Sequence, residues 1–271
     1  MLRKFVAVLG LLLAVLAVGA INWPVSSRAG EGIELASGAT WKEANQATFR
    51  VDNFNIQRGK GKDGIRDLSR SIEVLQGADI VGLQETSGTL FYGWKDQAEQ
   101  IAEAIGAGFL FAPTSWQWYQ PYRGPALTSK FPVASWSITR LPQLETEKGS
   151  RILISAEVLI QDQPVRLLVT HLSRRDSNQM QLDYIYNVFR QSDVPTILMA
   201  DLNVDDSNQS LQDFFAEPGI TDAVEAAIGP FWRLDWIITK GFDVVQGGYT
   251  PRGISDHAHY WVELSLSQAQ P

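Results

Sequence analysis

Cysteine is absent, which excludes a disulfide framework and any zinc or iron–sulfur site built on thiolates. Basic charge is in deficit: 23 lysines and arginines stand against 30 aspartates and glutamates, for a formal net charge of −7. That balance argues against a protein that coats nucleic acid nonspecifically, since phosphate binding wants a basic face. It leaves room for an enzyme that holds a metal ion among carboxylates. No internal repeat or low-complexity block interrupts the chain, and 45% of its residues are apolar, which excludes collagen-like and disordered classes. A chain of 271 residues accommodates one or two domains and buries an ample core. Nine tryptophans are a high number and need an account.

Only one long apolar run occurs, from Phe5 to Ile21. It follows the positive start Arg3-Lys4 and is broken by Asn22, Trp23 and Pro24. A basic head, an apolar middle and small residues at Val18-Gly19-Ala20 make a secretory signal with a cleavage site. The run also sits at the lower limit for a membrane span, so an uncleaved anchor with Trp23 at the interface is the competing expectation. Both readings place the rest of the chain outside the cytoplasm, periplasmic or extracellular. Residues 22–46 are small, polar and aperiodic and read as a tether. A single domain over 47–267 and a short tail, 268–271, complete the expected organisation.

Within that domain, helix-like and strand-like stretches alternate. Strands are expected at Thr48–Ile56, Asp79–Glu85, 125–129, 134–140, 151–160, 164–171, Thr196–Ala200, 234–239, 242–247 and 260–266. Helices are expected from Ile65 to Leu75 with Gly77 as the stop, over 98–105, and over Ser177–Arg190. The early alternation and the cluster of strands in the middle predict a layered α/β or α+β domain.

Charge interrupts these apolar strands in a particular way. Glu85 ends one strand, His171 follows Leu-Leu-Val-Thr, and Asp201 follows Ile-Leu-Met-Ala with Asn203 two residues on. Asp235 sits inside Arg-Leu-Asp-Trp-Ile-Ile, and Asp256-His257 follows the turn Arg252-Gly253-Ile254-Ser255. Taken singly, each is more often a turn former, a helix cap or, for Asp235, an ion-pair partner of Arg233. Their number lowers that reading, because an unpaired buried charge costs several kcal/mol.

The strings FNIQRG around Asn55, VGLQE ending at Glu85, VTHL around His171, ADLN at 200–203, RLDWII at 233–238 and SDH at 255–257 occur in this order. Together they resemble the endonuclease/exonuclease/phosphatase superfamily across residues 48–266. The resemblance implies a four-layered sandwich of two packed mixed β-sheets flanked by helices. It further implies a divalent metal, usually Mg2+ with Mn2+ or Ca2+ as substitutes, and phosphoester hydrolysis. Residue by residue, Glu85 matches the metal-binding glutamate, Asp256 a metal-proximal aspartate and Asn55 an asparagine near metal and phosphate. Asp201 and Asn203 match the pair that orients the attacking water and holds phosphate. His257 matches the catalytic histidine, Asp235 its carboxylate partner and His171 the second histidine of nuclease-like members. Tyr122 in YRGPALTSK aligns with a phosphate-contacting tyrosine. Ala200, Leu202, Pro125 and Ala258-His259 depart from the usual pattern beside these residues, which bears on substrate more than on chemistry.

The chemistry agrees with the residue types. A phosphodiester is anionic, and a hard cation on carboxylate oxygens neutralises it; either Asp201 or His257 can take a proton from water. Arg174-Arg175 are phosphate candidates, with a surface charge pair as the alternative; Arg58, Lys60 and Lys62 form a basic loop that reaches phosphate or solvent. The stretch Trp116–Tyr122 reads as a base-stacking platform, a membrane-interface lip or a packed loop. Trp94, Trp136, Trp232, Trp236 and Trp261 are expected in the core. The expected activity is that of an exported, Mg2+-dependent phosphoesterase of the nuclease-like kind, acting as a monomer. A lipid-headgroup phosphodiesterase or phosphatase and a catalytically silent binding module on the same fold are the rivals.

Overall fold

The computed structural model describes residues 2–19, 23–43, 45–88, 95–117 and 120–267. In chain order the elements begin with helix α1 (Leu2–Gly19) and the short strands β1 (Trp23–Pro24), β2 (Arg28–Glu31) and β3 (Glu34–Leu35). Strand β4 (Phe49–Asn55), helix α2 (Leu68–Val74), strand β5 (Ile80–Thr86) and helix α3 (Gln97–Ile105) follow. Next come β6 (Gly108–Phe111), β7 (Ser115–Gln117), β8 (Gln120–Pro121), β9 (Gly124–Ser129), β10 (Val133–Arg140), β11 (Ile152–Ile160) and β12 (Gln163–His171). The last part holds α4 (Asn178–Arg190), β13 (Thr196–Asp201), α5 (Gln209–Phe215), β14 (Ile220–Asp222), α6 (Ala223–Ile228), β15 (Asp235–Lys240), β16 (Phe242–Thr250) and β17 (His259–Leu266).

The strands form two mixed seven-stranded sheets, ordered β14-β15-β13-β12-β11-β10-β2 and β16-β17-β4-β5-β9-β6-β3, and a small ribbon β1-β7-β8. Each large sheet has one parallel pair at its centre, β12 with β13 and β4 with β5. Period-two alternation explains the layering. Val165, Leu167 and Val169 of β12, Ile197 and Met199 of β13, and Phe49, Val51 and Ile80 of the other sheet pack between the sheets. Their neighbours face outward: Leu168, Leu198 and Trp236 meet Leu182, Ile185 and Phe189 of α4 and Phe214 of α5. On the opposite side, Phe54, Val81 and Leu83 meet Ile101 and Ala102 of α3. This is the four-layered sandwich expected from the sequence.

The sheets approach closely at Gly82, where an added Cβ meets the Met199 Cβ at 2.4 Å. Gly82→Ala is therefore expected to lower stability by about 1–3 kcal/mol through overpacking. A shift in the urea midpoint with unchanged slope is the check, and a midpoint equal to wild type contradicts the close approach.

Several local expectations are corrected. Helix α2 starts later than Ile65, because Asp67 caps it by accepting from the Ser69 amide. Part of the expected tether is ordered: β2 pairs with β10 and β3 with β6, so one short segment lengthens both sheets at their edges. Trp236 is core, Trp136 and Trp261 are half-buried, but Trp232 is 52% exposed, its Nε1 donating to Asp205 at 2.9 Å. Trp94, Trp118 and Tyr119 lie outside the described residues, as does Ala20. Helix α1 exposes its apolar side chains, Leu11 and Leu16 among them. Among the described residues no helix is long and apolar enough to cross a membrane.

Candidate active site

At one end of the sandwich the inward-facing positions change from apolar to polar. In β12 the series Val165, Leu167, Val169 ends in His171; in β13, Ile197 and Met199 end in Asp201; β15 runs antiparallel to β13 and begins with Asp235 before Ile237. Strand register then sets these residues side by side, His171 opposite Asp201 and Asp201 opposite Asp235. In the facing sheet, Phe49 and Val51 give way to Asn53 and Asn55. The Asn53 amide crosses between the sheets to the carbonyls of Ala200 (3.2 Å) and Trp236 (3.3 Å), which fixes Asn55 across from Asp201.

Asp201 is the hub. Its Oδ2 accepts from Asn55 Nδ2 at 2.9 Å and lies 3.3 Å from His171 Nε2 and 3.7 Å from His257 Nε2; its Oδ1 accepts from the Asn203 amide at 3.1 Å. His257 Nδ1 meets Asp235 Oδ2 at 2.7 Å. Arg174 Nε donates to Asn203 Oδ1 at 2.8 Å, and its Nη2 lies 3.4 Å from His257 Nε2. Ser255 Oγ donates to the Asn55 carbonyl (2.7 Å) and accepts from the His257 amide (3.2 Å), joining the SDH turn to β4.

Burial governs the charges here. It raises the pKa of Asp201, with the neighbouring Asp235 charge adding to the effect, and it raises Asp235 as well. Burial alone lowers His257, but the Asp235 hydrogen bond and the charges of Asp235, Asp201 and Asp256 outweigh it, and its pKa is pushed up to about 9. His171 is held well below the usual histidine range by burial and then by Arg151, so it is neutral. The pair His257–Asp235 thus carries a proton beside a carboxylate of raised affinity for one, while His171 does not compete for it.

Glu85 reaches the site by a break in alternation. Its φ is +54°, and the β5–β9 register shifts between Leu83 and Thr86. A bulge of this kind re-aims a side chain at a strand end. The carboxylate receives Arg123 Nη1 at 3.4 Å and faces a cavity of about 610 Å³ that Tyr122, His171, Arg174 and Arg175 also line. The Tyr122 hydroxyl accepts from Arg123 Nη2 at 3.1 Å. Asp256 directs Oδ2 to Gln57 Nε2 at 2.8 Å.

A divalent cation fits this chemistry. Asp201, Asp235 and His257 place ligand-type atoms within 4.8 Å of one another, and Asp235 Oδ1 has no partner among the described residues. The 2.7 Å contact between His257 and Asp235 is a hydrogen bond of a proton-carrying pair.

Residues 53–257 match the family model of the Endonuclease/Exonuclease/phosphatase family. The chain belongs to this family. Its phosphoesterase fold recurs in an endonuclease/exonuclease/phosphatase from Beutenbergia cavernae, 22% identical over 83% of this chain and 73% of that one, with a TM-score of 0.64. The human nocturnin catalytic domain with bound sulfate is 18% identical over 83% of this chain and 97% of its own, with a TM-score of 0.63. A Bacteroides thetaiotaomicron mannosyl-6-phosphatase is 18% identical over 80% and 100%, with a TM-score of 0.61. No curated protein matches the chain.

Within this family member, Asn55, His171, Asn203, Asp235 and His257 join the Asp201 network, Glu85, Tyr122, Arg174 and Arg175 line the adjoining cavity, and Asp256 sits in the turn that carries His257. Asp235 does not pair with Arg233, which bonds Asp222 instead. Sequence reasoning passed over Gln57, Arg123, Arg151 and Ser255. Arg123 precedes Gly124, where an added Cβ meets the Ala112 carbonyl oxygen at 2.0 Å, and Arg151 is a lone charge just before the apolar start of β11. Neither carries a motif; only the folded chain shows where they point.

Proposed function

We propose that this family member is an exported, divalent-metal-dependent phosphoesterase that cleaves phosphodiester bonds, with nucleic acid as the leading substrate. The observation that carries the reading is the buried Asp201 carboxylate, flanked by Asn55, His171 and the His257–Asp235 pair, next to an arginine-rich cavity whose wall includes His171. Asp201, raised by burial, suits the task of orienting a water and taking its proton. His257, protonated and held by Asp235, stabilises charge on the phosphoryl oxygens or donates to the leaving oxygen. Asn55 and Asn203 hold the Asp201 carboxylate in orientation, and Arg174 ties Asn203 to His257. Glu85, Asp256 and Asn55, oxygen donors that suit Mg2+, would hold a cation there, which would supply neutralisation of the phosphate charge.

His171 favours the nuclease-like branch. The apolar, exposed α1 favours a membrane-proximal enzyme acting on lipid headgroups, and the mannosyl-6-phosphatase among the fold neighbours illustrates that one scaffold hosts several phosphoester chemistries. Export rests on the basic start and apolar run of residues 1–21.

The purified full-length protein should nick plasmid DNA with Mg2+, lose at least about 10²-fold of that activity in chelator, and regain it when Mg2+ is returned. RNA, sphingomyelin vesicles and inositol phosphates are assayed in parallel. Headgroup release without nicking replaces the nuclease reading, and chelator-resistant turnover removes the metal from it.

A further inference from the structure

The cavity beside Asp201 holds more basic charge than one phosphate needs. Five basic side chains line it (Arg123, Lys148, Arg151, Arg174 and Arg175) against two acidic ones, Glu85 and Glu147, in a chain whose formal net charge is −7. Two of the arginines are engaged: Arg123 with Glu85 and Tyr122, Arg174 with Asn203 and His257. The other three differ. Among the described residues the side chains of Lys148, Arg151 and Arg175 make no hydrogen bond and no ion pair.

Arg151 is the informative case. It stands at the start of β11, half-buried, and burial lowers its pKa against the pull of Asp201 and Glu85. Its guanidinium lines the cavity with all five donors unused by the protein, open to water or to a ligand. Glu147, the other acidic residue of this wall, is engaged elsewhere: it bonds Ser173 Oγ, and its other oxygen accepts from the Ser177 amide at 3.2 Å. Those bonds also pin the 141–151 loop against the segment that follows His171, so the wall carrying Lys148 and Arg151 is held in place. A volume of about 610 Å³ lies in the range of small-ligand pockets. Planar, doubly donating guanidinium groups match phosphate oxygens.

From this arrangement, and resting on the phosphoesterase reading above, we infer that the cavity binds a second phosphate of the substrate through Arg151 and Arg175, with Lys148 at its rim. The substrate class is then a compact molecule or chain end that carries a phosphate near the ester being cleaved. Arg151 and Arg175 are specificity residues in this scheme.

The test separates binding from turnover. Full-length protein in chelator is titrated calorimetrically with thymidine 3′,5′-bisphosphate and with thymidine 5′-monophosphate, then with inositol 1,4-bisphosphate and inositol 1-phosphate. At least one bisphosphate should bind about tenfold or more tightly than its monophosphate, as expected for charge-assisted hydrogen bonds to an added phosphate; the pair that shows it identifies a nucleotide or a polyol source. Arg151→Gln and Arg175→Gln should each bring that ratio to within about threefold of one, and Arg151→Lys should leave it between the two. Circular dichroism confirms that the variants are folded, and Arg175→Gln serves where Arg151→Gln is not. Equal affinities in both pairs, or a preference that survives both glutamine variants, overturn the inference even if the enzyme cleaves DNA. A clear preference without any hydrolysis upholds it while removing the proposed function.

Discussion

Replacing Asp201 with asparagine should lower kcat/KM by roughly 10²–10⁴-fold while the protein stays folded and becomes no less stable. The carboxylate is buried beside Asp235, and burial together with that second charge opposes its ionisation despite the neighbouring His257. Asparagine keeps the size of the side chain and one oxygen for the Asn203 amide, but it cannot take a proton from water. It also removes the desolvated charge, so thermal stability in chelator should rise or stay level. The measurement pairs steady-state kinetics on the preferred phosphodiester with a thermal melt in chelator. Wild-type turnover in the variant sinks the assignment. A large drop in melting temperature shows instead that the carboxylate holds the two sheets together, since the Asn55 bond crosses between them.

The second large effect is expected at Asp235. Its Oδ2 accepts the His257 Nδ1 proton at 2.7 Å, and its other oxygen has no partner among the described residues. With Asp235→Asn the charge that outweighs burial at His257 disappears, so the imidazole loses both its fixed orientation and the elevation of its pKa. A kcat loss of about 10²–10⁴-fold follows, with KM changing much less, because the pair acts on the charge that develops during the reaction rather than on substrate binding. His257→Ala should cost a similar factor, and the double variant little more than either single one, because the two side chains act as a unit. Additive losses in that cycle mean that the two residues work independently and that the pair is structural. The near-UV dichroism of Trp236, buried one position along the same strand, reports whether the asparagine variant keeps its local packing.

These results bear on why one end of the sandwich is reactive and the other is not. The same strands that close the core with valine, isoleucine and leucine continue past the apolar layer by one alternation step, and at that step each carries a polar residue. The polar positions are stable there because each is bonded to another: Asn53 to two carbonyls of the opposite sheet, Ser255 to the Asn55 carbonyl, Asn203 to the Leu172 carbonyl at 2.9 Å. The carboxylates of Asp201 and Asp235 are the exceptions whose charge burial opposes, and strain of this kind concentrates at functional sites.

The positions of the long strands, the strand-end location of Glu85, His171, Asp201 and Asp235, and the order of the six strings were legible from residue order, because alternation of apolar and polar side chains is local and repeats every two residues. Short edge strands such as β2, β3 and β14 were not, since two to four residues hold too little pattern, and their extended form comes from the neighbour they pair with. Trp232 misled for a related reason: an aromatic residue next to a strand looks like core until the fold shows it lying outside the layer. The convergence itself belonged to the tertiary structure. Register between β12, β13 and β15 aligned three side chains from distant parts of the chain, packing across Asn53 brought Asn55 to Asp201, and a bulge turned Glu85 toward the cavity. Arg123 and Arg151 joined them with no motif to announce it, because a side chain's neighbours across two sheets are set by pairing and packing between segments far apart in sequence, which no local pattern encodes.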